Sequence, residues 1–368
     1  MISAWLSVVV GILILQYMFL TFLLKSNWKN HQKQLKDFPH VSVLVAARNE
    51  EKFLPQLLAS LEKLDYPVDK LQILLADDQS QDDTAQVARD WIQKGANRKL
   101  ISIQSDQVGF YQKNGKANAL AVLAQEATGE YFFFTDADCE VPPSWIQEGV
   151  SCFGGKTGIL IGITQVKCLN FFEKMQELEW WNTLGIVKIV TDLGLPTTGL
   201  GNNMVISRDA YFKSGGFEGI PFSLTEDLEI SKAIVNEGFE IRHQVNEFFL
   251  VKTKAERNWK SLLSQRKRWM SGAMTLSVYW KILLGFQFFF FPAVLVLIGL
   301  AWKLGVILWG LKIGIQSVFL SFFAKKAGQK IGILPLLCFD FYQIQSLSLT
   351  ILYYFWPGQT QWKARNYP

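Results

Sequence analysis

In the stretch Tyr131-Phe132-Phe133-Phe134-Thr135-Asp136-Ala137-Asp138, a run of aromatic residues is followed, after one threonine, by two acidic residues that are two positions apart. The apolar run has the length of a buried strand, and the acidic pair marks the point where that strand ends. Open α/β sheets bind their ligands beyond the carboxyl ends of the strands. The stretch therefore predicts an α/β fold with a functional site at one edge of the sheet.

Segments typical of strands and helices alternate on the amino-terminal side of this stretch. The run Val41–Ala47 is followed by Arg48-Asn49-Glu50-Glu51 and by leucines at helical spacing. Further strands are expected at 71–76 and 100–103, and helices at 84–93 and 115–125. This alternation predicts a Rossmann-like, mostly parallel sheet with helices on both faces.

The second half of the sequence is less regular. It predicts a long aromatic-rich helix at 171–190, a Gly/Thr/Asn loop at 197–203 and a helix at 225–236. Residues 256–281 are basic and contain tryptophans, a composition that suits a helix lying in a membrane interface. We therefore expect a catalytic domain over residues 40–255, followed by an amphipathic interface helix.

Hydrophobic segments at both ends of the sequence predict an integral membrane protein. Residues 1–24 form an uncharged stretch long enough to cross a bilayer, and a cleaved signal peptide is the alternative. The linker at 25–39 is basic, and positive charge is retained on the cytoplasmic side. The catalytic domain is therefore expected in the cytoplasm, with a bacterial inner membrane as the expected location.

A second hydrophobic region, at 282–356, predicts about three further transmembrane helices. Lys312 and Asp340 lie within these helices, where a charge is expected to face the protein interior or a cavity. With three crossings, the tail at 357–368, which contains Lys363 and Arg365, is expected on the side opposite the catalytic domain.

Composition excludes several other classes of protein. The net charge of +5 is modest, and no basic stripe interleaved with aromatic residues indicates a nucleic-acid partner. The four cysteines lack metal-site spacing and are interpreted as reduced thiols, while the three histidines are scattered. A metal site built from histidine or cysteine is therefore not expected.

The acidic clusters predict a different kind of metal site. Asp136 and Asp138 could share Mg²⁺ or Mn²⁺ with a diphosphate, because these ions prefer oxygen ligands. A surface turn rich in aspartate is the alternative. Asp78 follows a predicted strand and Asp227 opens a predicted helix, where acidic residues also serve as caps. Lys116 begins another helix and could bind a phosphate or a nucleotide carbonyl.

Three residues of the basic helix share one face, since Gln265, Arg268 and Trp269 are spaced at i, i+3 and i+4. Arginine can hold a diphosphate with forked donors, and tryptophan offers a flat face to a sugar ring. A helix that only lies in the membrane interface is the alternative.

Five motifs occur in order at 43–50, 77–80, 136–138, 225–227 and 265–269. They read Val-Leu-Val-Ala-Ala-Arg-Asn-Glu, Asp-Asp-Gln-Ser, Asp-Ala-Asp, Thr-Glu-Asp and Gln-Arg-Lys-Arg-Trp. This pattern resembles the family 2 glycosyltransferases of the GT-A fold, over about residues 40–270. Within them it is similar to the membrane group that includes ceramide glucosyltransferases and the hyaluronan, cellulose and poly-N-acetylglucosamine synthases.

The resemblance implies a role for each motif in an inverting single displacement. It implies that Asp227 is the catalytic base and that Asp136 and Asp138 bind the metal. It further implies that Gln265 and Trp269 line the acceptor site. The remaining residues implied to bind the nucleotide-sugar, for which a UDP-sugar is expected, are Glu50, Asp78, Lys116 and Arg268, together with Asp136.

The acceptor is expected to be a membrane lipid, because one span before the catalytic domain and about three after it match the ceramide glucosyltransferase type. A processive polysaccharide synthase is the first alternative. A non-catalytic membrane scaffold, or a transport component, is the second.

Overall fold

The computed structural model describes residues 2–103, 114–276, 278–358, 360–363 and 365–367. The chain forms two compact units. The sheet unit contains residues 29–167, 190–254 and 361–368. The helical unit contains residues 1–28, 168–189 and 255–360.

The sheet unit contains a seven-stranded main sheet in the order β3-β2-β1-β4-β8-β6-β9. Strands β1, β2, β3 and β4 are mutually parallel, as are β6 and β9, whereas β8 runs antiparallel to β4 and β6. The bounds, numbered in chain order, are β1 Val41–Ala47, β2 Leu71–Asp77, β3 Arg98–Ser102, β4 Tyr131–Phe134, β6 Thr157–Ile161, β8 Met204–Ser207 and β9 Glu240–His243.

A second, three-stranded sheet has the order β5-β10-β7, with β5 Cys139–Glu140, β7 Ile163–Lys167 and β10 Leu250–Lys254. Two short strands near the end of the chain, β11 Thr360–Trp362 and β12 Arg365–Tyr367, pair with each other. The sequence pattern did not predict the second sheet or the antiparallel strand β8. Both depend on pairings between segments that lie far apart in the sequence, such as Cys139 with Thr253 and Phe133 with Val205, and no local pattern reveals these pairings.

Helices cover the main sheet of this unit, as expected for the predicted α/β class. Their bounds are α2 Leu54–Leu61, α3 Thr84–Ile92, α4 Gly115–Glu126, α5 Trp145–Ser151, α7 Arg208–Lys213, α8 Gly216–Gly219 and α9 Glu226–Asn236. The prediction of a mostly parallel sheet with helices is confirmed.

The core explains why β1 and β4 are mostly apolar, with Ser42 of β1 buried and donating a hydrogen bond to Gln72. Successive side chains of a strand point to opposite faces, so a strand covered on both faces is apolar at nearly every position. Val43 lies in the cluster formed by β1, α2 and their neighbours. On β4, Phe133 packs edge-on against Trp145, and Phe132 contacts Tyr211. The acidic residues that follow β4 are thereby fixed at the sheet edge.

The helical unit contains the remaining helices. They are α1 Ile2–Ser26, α6 Phe171–Asp192 up to residue 189, α10 Trp259–Ala273, α11 Val278–Leu300, α12 Trp302–Lys326 and α13 Ile333–Phe355. Within the described ranges, three helices are long and apolar enough to cross a membrane, at 4–26, 280–300 and 302–326. The predicted interface segment at 256–281 contains α10 and the start of α11, and α13 occupies the third predicted span.

The two charges inside the hydrophobic region pair with each other. Lys312 of α12 and Asp340 of α13 are buried and form an ion pair, and the indole N–H of Trp309 donates to Asp340 at 2.7 Å. Gln316 accepts a hydrogen bond from Lys312 at 2.7 Å. The expectation that these charges face the protein interior is confirmed.

Candidate active site

The sheet order brings the predicted acidic residues of two strands to one edge. Strand β1 pairs in parallel with both β2 and β4, so all three strands end on the same side. Asp78 directly follows β2, and Asp136 follows β4 after one residue. The edge is therefore where a ligand of this sheet would bind.

Hydrogen bonds tie the loops after β1 and β2 together. The backbone N–H of Asn49 donates to Ser80 Oγ at 3.1 Å, and the N–H of Gln81 donates to Asn49 Oδ1 at 2.8 Å. Asn49 and Gln79 both have positive φ, a conformation that asparagine tolerates better than most residues. The paired loops hold the buried carboxylates of Glu50 and Asp78 on neighbouring segments.

Lys116 links two of the predicted motifs. Its ammonium lies 2.7 Å from Asp136 and 3.0 Å from Glu226. Burial lowers the pKa of Lys116, but the charges of Asp136 and Glu226 raise it above the ordinary value, so the side chain is charged. Asn114 caps α4 by accepting from the N–H of Lys116 at 3.1 Å. The start of α4 thus joins the end of β4 to the start of α9.

The carboxylate of Asp227 is held by backbone donors. It accepts from the N–H of Gly201 at 3.0 Å and from its neighbour Leu228 at 2.9 Å. Burial and then the charge of Glu226 raise the pKa of Asp227 to about 6. A carboxylate with a pKa near neutrality can accept a proton from a hydroxyl more effectively than an ordinary one.

A glycine-rich loop at 197–203 makes this arrangement possible. A Cβ atom on Gly199 would lie 2.7 Å from both the Asp227 carbonyl oxygen and Ser231 Oγ. Only a residue without a side chain can pass so close to the first turn of α9. The loop that carries the Gly201 donor is therefore packed directly on the helix that carries Asp227.

Asp136 and Asp138 are the residues that could hold a metal. Their side chains are part-exposed, at 33% and 19%, and carboxylate oxygens suit Mg²⁺ or Mn²⁺. No group of three or more His, Cys, Asp or Glu side chains in the described part of the chain could hold an ion alone. The donor set fits a metal whose remaining ligands are diphosphate oxygens and water.

Lys254, at the end of β10, is a further residue at this site that the sequence pattern does not predict. Its ammonium lies 3.0 Å from Asp138 and 3.6 Å from Glu50. It also lies 4.0 Å from the ring centre of Phe53. No local signal reveals this role, because the contact depends on the second sheet bringing β10 beside β5.

The carboxylates of Glu50 and Asp78 contact the carboxy-terminal segment. Lys363 forms an ion pair with Glu50, and Arg365 binds both oxygens of Asp78 at 2.5 and 2.9 Å. The prediction that the tail lies on the side opposite the catalytic domain is therefore wrong. The number of membrane crossings was predicted from hydropathy alone, and hydropathy contains no information about these contacts.

The Gln265–Trp269 motif lies on α10 in the helical unit. Gln265 Nε2 donates to Glu256 at 3.3 Å, while Trp269 packs edge-on against Trp180 with ring centres 5.2 Å apart. Trp269 is 36% exposed, so part of its ring is accessible. The roles expected for Gln265, Arg268 and Trp269 stay predictions.

The four cysteines are free; Cys139 and Cys152 are buried, whereas Cys168 and Cys338 are only partly buried. Burial raises the pKa of the Cys139 thiol well above its usual value, and the charges of Asp138 and Asp136 raise it further. A thiolate at this position is therefore strongly disfavoured, although Cys139 directly follows the acidic pair.

Comparison with curated proteins finds relatives that include a glycolipid synthase and a polysaccharide synthase. The chain is 25% identical over 264 residues to a beta-monoglucosyldiacylglycerol synthase of Trichormus variabilis, covering 70% of this chain and 54% of the relative. It is also 25% identical over 238 residues to a poly-beta-1,6-N-acetyl-D-glucosamine synthase of Staphylococcus epidermidis, covering 63% and 54%. The chain thus spans about half the length of these relatives.

A solved structure shares the fold. The mannosyltransferase PcManGT from Pyrobaculum calidifontis, in complex with GDP-Man and Mn²⁺, superposes with a TM-score of 0.61 at 17% identity. The match covers 97% of this chain and 99% of that structure. It supports the GT-A fold predicted from the sequence.

Two family descriptions match the sequence. Residues 42–215 match glycosyl transferase family 2, and residues 131–357 match glycosyl transferase family group 2. The second match covers more than half of the chain and includes the acidic pair after β4, Asp227 and the motif on α10. With the GT-A fold and the acidic sheet edge, these matches identify the chain as a member of glycosyltransferase family 2.

Proposed function

We propose that this chain transfers a sugar from a nucleotide-sugar, a UDP-sugar, to a hydroxyl group of a membrane lipid with inversion at the anomeric carbon. The contact of Lys116 with both Asp136 and Glu226 carries the proposal. It joins the carboxylates suited to a metal to the helix turn that presents Asp227. Donor-binding and proton-accepting groups thus belong to one connected set of side chains.

In this proposal, the donor binds along the sheet edge. Asp78 and Glu50 would bind the nucleobase of the donor, and Asp136 and Asp138 would hold Mg²⁺ or Mn²⁺. The metal, when bound, supplies positive charge to the diphosphate leaving group. Lys116 supplies further positive charge beside Asp136. The family resemblance adds Arg268 as a further diphosphate ligand, and the fold neighbour was solved with a nucleotide-sugar and Mn²⁺.

Asp227 would act as the general base. The acceptor oxygen forms a bond to the anomeric carbon as its proton passes to Asp227. The bond from that carbon to the diphosphate oxygen breaks, and the nucleoside diphosphate leaves with the electron pair. The Gly201 and Leu228 N–H groups hold the carboxylate throughout. Fixed orientation of a base in this way contributes to catalysis.

A lipid acceptor is favoured by the apolar helices and by one kind of relative. In the part of the chain that the structure describes, three helices are long and apolar enough to cross a membrane, and the Trichormus variabilis relative is a beta-monoglucosyldiacylglycerol synthase. The family resemblance implies that Gln265 and Trp269 line the acceptor site. The Staphylococcus epidermidis relative supports the alternative of polysaccharide synthesis.

The test is to incubate the detergent-purified chain and Mn²⁺ with a panel of radiolabelled nucleotide-sugars and a lipid extract. Lipid glycosylation predicts a labelled product of one sugar that is soluble in organic solvent. A labelled polymer that is retained in water would instead support a polysaccharide synthase. Failure of every donor to release nucleotide, with the helices folded by circular dichroism, would favour a non-catalytic scaffold.

A further inference from the structure

A short ribbon near the end of the chain lies at the acidic edge of the sheet unit. It consists of residues 360–367, of which 360–363 and 365–367 are described, with β11 and β12 paired. Arg365 forms a forked pair with Asp78, at 2.5 and 2.9 Å, and Lys363 pairs with Glu50. The two cations of this tail ribbon thus contact both carboxylates that we assign to binding of the nucleobase of the donor.

The ribbon also occupies the space in front of α4. A Cβ atom on Gly115 would lie 1.5 Å from Nη1 of Arg365 and 2.5 Å from Oδ2 of Asp78. The guanidinium therefore fills the gap between Asp78 and the first residue of α4. A base that donates to Asp78 would need the same gap.

The side chain of Arg48 holds the ribbon in place through hydrogen bonds to backbone carbonyl groups. Nε of Arg48 donates to the carbonyl oxygen of Lys363 at 2.9 Å, and its Nη1 donates to the carbonyl oxygen of Asp78 at 2.5 Å. Arg48 thus connects the ribbon to the loop after β2. Because a backbone carbonyl of the ribbon is also bound, its attachment is more specific than two side-chain ion pairs on a surface would be.

From these contacts we propose that the tail ribbon occupies the subsite for the nucleobase of the donor. The nucleotide must then displace the ribbon in order to bind. This inference rests on the proposed function, because in that function Glu50 and Asp78 bind the nucleobase of the donor. The nucleotide and the ribbon are then alternative partners of the same two carboxylates.

The electrostatics of the subsite support such a competition. Glu50 and Asp78 are only 6% and 4% exposed, and a buried carboxylate without a partner is strongly destabilising. Burial raises the pKa of Asp78, whereas its hydrogen bonds to Arg365 lower it. While no nucleobase is bound, the ribbon therefore compensates the buried charge of Asp78 and, together with Lys254, that of Glu50. Lys363 and Arg365 are themselves 23% and 26% exposed, so each can exchange its carboxylate for water.

The expected effect follows from the fraction of molecules with the ribbon detached. The apparent dissociation constant equals the intrinsic one divided by that fraction, so a ribbon bound nine-tenths of the time weakens nucleotide binding about tenfold. Removing its cations should therefore strengthen nucleotide binding, which is the reverse of what loss of a binding residue would do.

The experiment measures calorimetric binding of UDP and of GDP, each with Mn²⁺, to the full chain in detergent. Variants are Arg365→Gln, Lys363→Gln and the double variant, with Lys330→Gln as control, because it removes one positive charge from the loop between α12 and α13. We expect the double variant to bind its preferred nucleotide about tenfold more tightly than wild type, the single variants to fall between, and the control to match wild type. Arg365→Lys should restore part of the competition.

A second measurement examines the ribbon itself. Amide hydrogen exchange in residues 360–367 should become faster when the preferred nucleotide is added to the wild-type chain. Equal or weaker binding by the double variant would overturn the inference, as would slower exchange on nucleotide addition. If neither nucleotide binds to any variant, the proposed function fails as well, and that result is distinct from unchanged binding.

Discussion

The ammonium of Lys254 lies 3.0 Å from Oδ2 of Asp138, so a carboxylate proposed to bind the metal already has a positive partner. Removing this charge should strengthen binding of Mn²⁺ in the absence of nucleotide. For Lys254→Gln we expect a gain of about two- to fivefold, because a part-exposed ion pair is worth up to ~1 kcal/mol. Electron paramagnetic resonance of free Mn²⁺ measures it. Lys252→Gln, exposed on the same strand, is the matched control and should leave the affinity unchanged.

Chelation should abolish turnover, because Asp136 and Asp138 are expected to hold the diphosphate through a shared divalent cation. Excess EDTA is expected to stop nucleotide release, and added Mn²⁺ or Mg²⁺ to restore it. Asp138→Ala should lose donor binding measured by calorimetry. Full turnover in excess EDTA would exclude a metal requirement.

Asp227→Asn keeps the size and polarity of the side chain but cannot accept a proton from the acceptor. General-base assistance is typically worth about 10²–10⁴-fold, so turnover should fall by roughly two orders of magnitude or more. Affinity for the UDP-sugar should stay near normal, since Asp227 is not expected to bind the diphosphate. The exposed Asp209→Asn serves as control. Wild-type turnover in Asp227→Asn would direct the search for the base to Glu226.

The pH dependence of turnover should report Asp227. Burial and the charge of Glu226 raise its pKa to about 6, whereas the Gly201 N–H and Lys116 lower it. The base is active only when deprotonated, so kcat should rise as pH increases through about 6 and level off above it. A pH series of initial rates at saturating donor measures this. The rise should be missing from the residual activity of Asp227→Asn.

The charge pattern after α1 predicts that the sheet unit faces the cytoplasm. A cysteine at the exposed position of Lys94 should then resist an impermeant thiol reagent in intact cells and react after lysis. A cysteine at Ala301, between α11 and α12, should react from outside. Labelling of position 94 in intact cells would reverse the predicted orientation.

Much of the fold follows from local patterns in the sequence. The predicted strand at 41–47 has the bounds of β1, and the apolar run at 131–134 is β4. Continuous burial on both faces leaves a clear signature in such strands. The antiparallel pairing of β8 leaves no such signature, because it depends on where β4 and β6 lie.

The candidate site was predicted to a similar extent. Carboxylates at strand ends are visible in the sequence, and the structure joins Lys116 to Asp136. Lys254 and Arg365 could not be found in this way. Lys254 lies 116 positions from Asp138 (254 − 138), and the contact between Arg365 and Asp78 joins residues 287 positions apart. Pairings over such distances are set by the packed fold, and no spacing rule encodes them.

The contact between Arg365 and Asp78 also determines whether the chain between them crosses the membrane an even or an odd number of times. Residues that touch the sheet unit must lie on the same side of a membrane as that unit. A chain that leaves one side and returns to it crosses an even number of times, so residues 255–360 would contain an even number of crossings. Helices α11 and α12 provide two segments of sufficient length and hydropathy. Parity therefore predicts that α13, in which Asp340 and Ser346 are buried, does not add a third complete crossing.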